Sequence, residues 1–168
     1  MKRLHIVGRK NHGKTTLLVE ILRELRSAGL CVGTIKHTRH VHELDSPGSD
    51  SYRHRLGGAA PAAIVSGDAI AVHLPRREQD YFDQIKPLFA GCDLVLVEGD
   101  LDGDGHKIEV WREAMGEPCL AGERPDIAAV ITDDAATATA TILPRSDLQP
   151  LLDYLFDFVA KEPREVFS

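Results

Sequence analysis

The sequence predicts an α/β protein whose mostly parallel β-sheet is covered by helices on both faces. Three observations predict it. Seven short runs rich in Val and Ile recur along the chain, each of strand length and bounded by Gly, Asp or Pro. Stretches with apolar residues at helical spacing lie among them. A glycine-bounded loop carrying a lysine joins the first run to the first such stretch. Continuous apolar strands alternating with amphipathic helices bury both faces of a sheet, and that is the parallel arrangement.

In chain order, Leu4 to Val7 is the first strand. Thr15 to Ala28 is the first helix, because Leu17, Leu18, Ile21, Leu22 and Leu25 fall on one stripe and Gly29 supplies the stop. Leu30 to Ile35 is the second strand, and a polar segment from Lys36 to Ser51 follows it. Ser49 or Asp50 is placed to cap a helix bearing Tyr52, Arg53 and Leu56. The remaining strands are Ala62 to Val65, Ala69 to Leu74, Leu94 to Val97, Ile108 to Trp111 and Ile127 to Ile131, the last of the set. Leu148, Leu151, Leu152, Leu155, Phe156 and Val159 mark a closing helix. Ser146 or Asp147 is its cap, and Pro150 lies in its first turn, where a missing N–H costs little.

The 168 residues suit one domain with one core, and no repeat, low-complexity tract or Pro/Ser-rich linker marks a boundary. Lys and Arg number 20 against 26 Asp and Glu, a net charge of -6. Nucleic-acid binding needs a positive surface, and base stacking needs aromatic residues. With that charge and only five Phe, three Tyr and one Trp, no nucleic-acid partner is expected. No apolar run approaches the ~20 residues that span a bilayer, and the first strand is too short for a signal-peptide core. No membrane association and a cytoplasmic location are therefore expected. Cys31, Cys92 and Cys119 are far apart in sequence and lack any C-x-x-C pair, and all three read as buried small hydrophobes.

Gly8-Arg9-Lys10-Asn11-His12-Gly13-Lys14-Thr15 fits G-x-x-x-x-G-K-[ST] without a mismatch, between a strand and a helix as the pattern requires. Gly8 and Gly13 let the backbone fold around phosphates, and the N–H groups at the helix start point positive charge at them. Lys14 is expected to reach the β- and γ-phosphates, Thr15 to ligate Mg²⁺, and Thr16 to contact the α-phosphate. Arg9 and Lys10 add charge at the tip, as phosphate contacts offered across a dimer or as solvated loop charges. The expected fold is thus a single three-layer P-loop NTPase domain over residues 1–168.

Ligands of such sheets gather at the carboxyl ends of the strands. Glu98 closes Asp93-Leu94-Val95-Leu96-Val97-Glu98 and is expected to hold Mg²⁺ directly or through water, while Asp93 lies at the opposite end. Asp45 is a candidate second carboxylate near Mg²⁺ or the attacking water. Asp133, after the last strand, is a candidate reader of guanine N1–H and N2–H or else a capping residue, since no N-K-x-D sequence accompanies it. His37, His40 and His42 admit a metal site but fit no standard zinc spacing. Asp100 to Gly105 begins like a calcium loop, yet Trp111 stands at its twelfth position, so a hydrated turn is expected.

Gly8 to Thr16, Lys36-His37 with the histidines after it, Leu44-Asp45-Ser46-Pro47-Gly48-Ser49-Asp50-Ser51, and Asp93 to Gly99 followed by Lys107-Ile108-Glu109-Val110 together resemble the MobB family of molybdopterin-guanine dinucleotide biosynthesis proteins. The resemblance covers nearly the whole chain. It implies a GTP-binding, weakly hydrolysing accessory protein, usually a homodimer. Such a protein assists the guanylyltransferase that joins GMP to molybdopterin, by supplying GTP or binding the pterin. By position the resemblance implies Gly13, Lys14 and Thr15 on phosphates and Mg²⁺, Asp45 and Glu98 near the metal, and Asp133 toward guanine. The family commonly has an aromatic residue and a lysine after V-E-G; Asp100 and Leu101 stand there instead, with Lys107 as the candidate replacement charge. Two other readings are open. The histidines suit a GTPase that delivers metal during metalloenzyme maturation, and Arg53, Arg55, Arg76 or Arg77 would serve the lid of a small-molecule kinase.

Overall fold

A computed structural model describes residues 2–77 and 81–161. The elements, in chain order, are β1 (Lys2–Val7), α1 (Lys14–Ser27), β2 (Val32–Lys36), α2 (Asp50–Leu56), β3 (Ala62–Val65), β4 (Ile70–His73), α3 (Tyr81–Ile85), β5 (Leu94–Glu98), β6 (His106–Val110), β7 (Ile127–Ile131), β8 (Thr141–Leu143) and α4 (Gln149–Lys161). They fall into two compact units, one within 2–38 and 88–161, the other within 39–77 and 81–87.

The first unit is a six-stranded parallel sheet in the order β2-β5-β1-β6-β7-β8. Its register places Lys36 of β2 and Ile6 of β1 on either side of Glu98, so the carboxyl ends of three strands meet at one edge. Alternate strand residues feed opposite faces. Leu4, Ile6, Ile108, Val110 and Ile131 pack with Leu17, Ile21 and Leu25 of α1 and with Leu151 and Leu155 of α4. On the other face, Val7, Trp111 and Val130 pack with Cys119 and Ala121, beside the single-turn helix Leu120–Gly122. The fully buried Glu109 organises that turn by accepting the N–H groups of Leu120 (2.9 Å) and Ala121 (2.8 Å) and the Cys119 thiol (3.0 Å). A buried carboxylate survives here because every oxygen has a donor.

The stops and caps follow from local chemistry. Gly29, at φ 87°, ends α1 in a left-handed turn, with the Leu30 N–H returning to the Leu25 carbonyl (3.1 Å). Ser49 is the cap of α2, accepting the Tyr52 N–H at 3.2 Å. Asp147 accepts the Gln149 N–H at 3.0 Å at the start of α4, while the Ser146 hydroxyl turns to Asp133 instead.

Three expectations change. The runs at β3 and β4 do not join the parallel sheet; they form a two-stranded antiparallel sheet within the second unit. The strand at Ile127–Ile131 is not the last, because β8 pairs with it in parallel. Cys31 is exposed and Cys92 half-buried, and Cys119 alone matches the buried reading. No helix among the described residues is long and apolar enough to cross a membrane.

Candidate functional site

Gly8 leaves β1 at φ 134°, Asn11 turns at φ 67° and Gly13 opens α1 at φ 98°. A Cβ on Gly8 would lie 2.5 Å from the Val110 carbonyl oxygen, so only glycine lets the loop pass the end of β6. Lys14 folds back across the loop, its Nζ donating to the Arg9 carbonyl at 2.6 Å. Burial lowers the pKa of this ammonium, with the Glu98 charge opposing the effect.

Behind the loop, the Thr15 hydroxyl donates to Glu98 Oε1 at 2.8 Å, and Lys36 Nζ donates to the same oxygen at 2.6 Å. Glu98 is only 8% exposed. Its burial favours the neutral acid, but the hydrogen bonds from Lys36 and Thr15 and the charges of Lys36 and Lys14 outweigh it and hold the carboxyl below its ordinary value. An ionised carboxylate and a hydroxyl so close together are hard oxygen donors suited to Mg²⁺. These residues fit the ion: Thr15 and Glu98 could hold it, and Lys36 already marks the same oxygen as a place for positive charge. A bound Mg²⁺ would neutralise phosphate charge there.

Lys10, Asn11 and Thr16 are exposed. His12 behaves differently, being fully buried with Nδ1 accepting the Arg112 N–H at 3.0 Å. Burial, reinforced by the Lys14 charge, pushes its pKa below 6.5, which suits a neutral acceptor. Its side chain therefore supports the loop from beneath. Arg9 Nε lies 3.5 Å from Glu117 Oε2, so that charge is partly committed to a neighbouring acid.

One basic residue that no motif marks is brought to the site. The Arg112 guanidinium sits where a Cβ on Gly13 would meet it at 3.0 Å. Arg112 is exposed, and no carboxylate among the described residues pairs with it. Its only sequence signal is its position just past the carboxyl end of the strand beside β1.

Asp45 lies in the second unit. Its Oδ1 accepts the Ser46 N–H (2.8 Å) and the hydroxyls of Ser51 (3.1 Å) and Ser49 (3.2 Å), and its Oδ2 is 3.7 Å from His73 Nε2. Burial opposes its ionisation, but the bonds from Ser51, Ser46 and Ser49 prevail, leaving the pKa low. The segment Asp45 to Ser51 is thus a carboxylate-centred turn that starts α2. Arg55 pairs with Glu43 at 2.6 Å and Arg53 lies 3.8 Å from Asp50, so both are engaged by acids of their own unit.

Asp133 is exposed after β7, and its Oδ1 accepts the Arg145 N–H (2.8 Å), the Ser146 N–H (2.9 Å) and the Ser146 hydroxyl (2.9 Å). The Ser146 N–H bond leads in holding its carboxyl below the ordinary range. The capping role anticipated as its alternative is present.

His37 Nδ1 approaches Asp100 Oδ1 at 3.7 Å, and the buried His5 Nδ1 approaches Asp100 Oδ2 at 3.8 Å. Asp102 pairs with Arg124 at 3.0 Å, so the acidic loop is tied down by ion pairs. Lys107 binds Asp126 at 3.1 Å, which removes it as the replacement charge for that loop. Among the described residues no group of three or more His, Cys, Asp or Glu is arranged to hold a metal ion.

The family model described as molybdopterin guanine dinucleotide synthesis protein B (MobB) matches residues 3–133. A molybdopterin-guanine dinucleotide biosynthesis adapter protein of Escherichia coli is 30% identical over 161 residues, covering 89% of each chain. Its counterpart in Haemophilus influenzae is 31% identical over 152 residues, covering 89% of this chain and 80% of that one. The crystal structure of Bacillus subtilis MobB superposes with a TM-score of 0.72 at 21% identity, covering 96% of this chain and all of that one. A MobB homologue from Bacillus stearothermophilus gives 0.66 at 24% identity, with 96% of this chain and 100% of that chain covered. The fold is therefore that of a P-loop α/β protein, and the chain belongs to the MobB family.

Proposed function

We propose that the protein is a GTP-binding adapter in molybdopterin-guanine dinucleotide biosynthesis, acting with the guanylyltransferase that joins GMP to molybdopterin. The observation that carries this reading is the Thr15–Glu98 hydrogen bond behind the phosphate loop, the pair of oxygen donors that an Mg²⁺–nucleoside triphosphate needs. The adapter role comes from the names of the Escherichia coli and Haemophilus influenzae relatives.

In this reading the loop backbone and Lys14 hold the β- and γ-phosphates, Thr16 the α-phosphate, and Arg112 adds a charge on the outer side. Thr15 and Glu98 hold Mg²⁺. Asp133 meets guanine through Oδ2, since Oδ1 is occupied by its own turn. Hydrolysis is slow, because Glu98 is tied to Lys36 and Thr15 and is poorly placed to take a proton. Val65 and Ile70, paired across β3 and β4 and each about 70% exposed, offer the second unit an apolar patch for the guanylyltransferase. The site of action is the cytoplasm.

Calorimetric titration with GTP and ATP in Mg²⁺ tests the proposal. Preferential GTP binding that disappears in Lys14→Ala and Thr15→Ala is expected. A preference for ATP, or undiminished GTP binding in both variants, overturns it.

A further inference from the structure

We propose that Cys31 and Cys92 form a redox-active dithiol, a modification site that closes to an intramolecular disulfide by exchange with a low-molecular-weight disulfide such as oxidised glutathione. The two sulfurs are 3.8 Å apart although 61 positions separate them in sequence. Both cysteines precede neighbouring strands, Cys31 one residue before β2 and Cys92 two before β5, at the sheet edge opposite Glu98.

The backbone holds them together. The Asp93 N–H donates to the Cys31 carbonyl at 2.8 Å, and the Cys31 N–H donates to Asp93 Oδ2 at 2.9 Å. Gly33 leaves room for the inner sulfur, since a Cβ there would lie 3.2 Å from Cys92 Sγ. A disulfide bond is about 2.05 Å long, so closure needs the sulfurs to approach by side-chain rotation while the strand pairing stays in place. Cys31 is exposed and reachable by a solution disulfide, whereas Cys92 is half-buried behind it.

The order of events follows from that difference. The Cys31 thiolate attacks one sulfur of oxidised glutathione, forming a mixed disulfide and releasing one glutathione thiolate. Cys92 then loses its proton and attacks Cys31 Sγ, forming the protein disulfide and expelling the second glutathione thiolate. Two protein thiols are oxidised, one glutathione disulfide is reduced to two thiols, and the two protons released match the two leaving thiolates. Burial, then the neighbouring sulfur, raises the pKa of Cys92, consistent with its acting second. Cys119 stays out of the reaction: it is buried, its thiol donates to Glu109, and its pKa is pushed up to about 11. The closed bond would tie together the two segments flanking 39–87, the stretch that forms the second unit.

The test uses the full chain, reduced and then incubated with excess oxidised glutathione and quenched in acid. Free thiols are titrated after denaturation, and peptides are mapped by mass spectrometry. The thiol count is expected to fall from three to one, with a Cys31–Cys92 cross-linked peptide that dithiothreitol reverses. Cys92→Ser is expected to stall as a glutathione adduct on Cys31. Three persisting thiols in the wild type, a stable glutathione adduct on Cys31 beside a free Cys92, or bridges between molecules or to Cys119 would each overturn the proposal. None of these readouts depends on nucleotide binding.

Discussion

Replacing Glu98 with Gln keeps the acceptor oxygen that Thr15 and Lys36 reach at 2.8 and 2.6 Å and removes only its charge. The fold should barely notice. The Lys36 side chain is 66% exposed, so its amine can return to water, and the lost ion pair costs about 0–1 kcal/mol. Metal-linked affinity should change far more, because the neutral amide is a poor partner for a divalent cation. A perturbation of this kind typically lowers metal affinity by about 10- to 100-fold, which is roughly 1.4–2.7 kcal/mol. Calorimetric titration of GTP in Mg²⁺ and in EDTA separates the two effects. Wild type should bind GTP more tightly in Mg²⁺ than in EDTA, and Glu98→Gln should lose most of that difference. In EDTA the variant should bind at least as tightly as wild type, since no carboxylate then opposes the phosphates. A variant that keeps the full Mg²⁺ enhancement would refute the assignment of Glu98.

Gly8→Ala forces a Cβ to 2.5 Å from the Val110 carbonyl at a φ of 134°, and the steric and backbone terms together should cost about 2–5 kcal/mol, read as a lower urea midpoint. Arg112→Ala removes an exposed guanidinium while its N–H bond to His12 stays, so GTP affinity should fall about tenfold with the unfolding midpoint unchanged; an unaltered affinity would remove Arg112 from the site. His5 and His12 both have pKa values lowered from 6.5, chiefly by burial, so the unfolded chain takes up protons that the folded chain resists. Their contribution to stability is complete above pH 6.5 and is lost as pH falls through their lower folded values. The urea midpoint should therefore drop between pH 7 and pH 5, and a flat profile over that interval would contradict the buried neutral imidazoles.

The shape of the Gly8–Thr15 loop and the position of Glu98 are legible in the sequence because their signals are local: a strand, a glycine-framed turn, a helix start, and an acid closing a buried strand. Elements whose meaning depends on distant partners were not. The Val and Ile of β3 and β4 announce strands but carry no information about which sheet they join, and no repeat or low-complexity tract marks where the second unit begins near Arg39 or ends near Pro87. At three residues, β8 is too short for alternation to show. His12 sits within the loop motif yet turns inward to Arg112, a contact spanning 100 positions. Lys107 is a candidate charge for the loop after Glu98, and only its pairing with Asp126, 19 positions on and brought beside it by the pairing of β6 with β7, removes it. The proximity of Cys31 to Cys92 comes from the register of β2 against β5, which no local pattern encodes.

If nucleotide held by the Gly8–Thr15 loop serves the adapter role, the guanylyltransferase reaction should depend on Lys14. The most direct measurement is the rate of GMP attachment to molybdopterin by the purified guanylyltransferase at limiting Mg²⁺–GTP, with wild-type protein or Lys14→Ala added. Wild type is predicted to raise the rate, and Lys14→Ala to leave it at the level of the guanylyltransferase alone. Equal stimulation by both proteins, or none by wild type, would contradict the account.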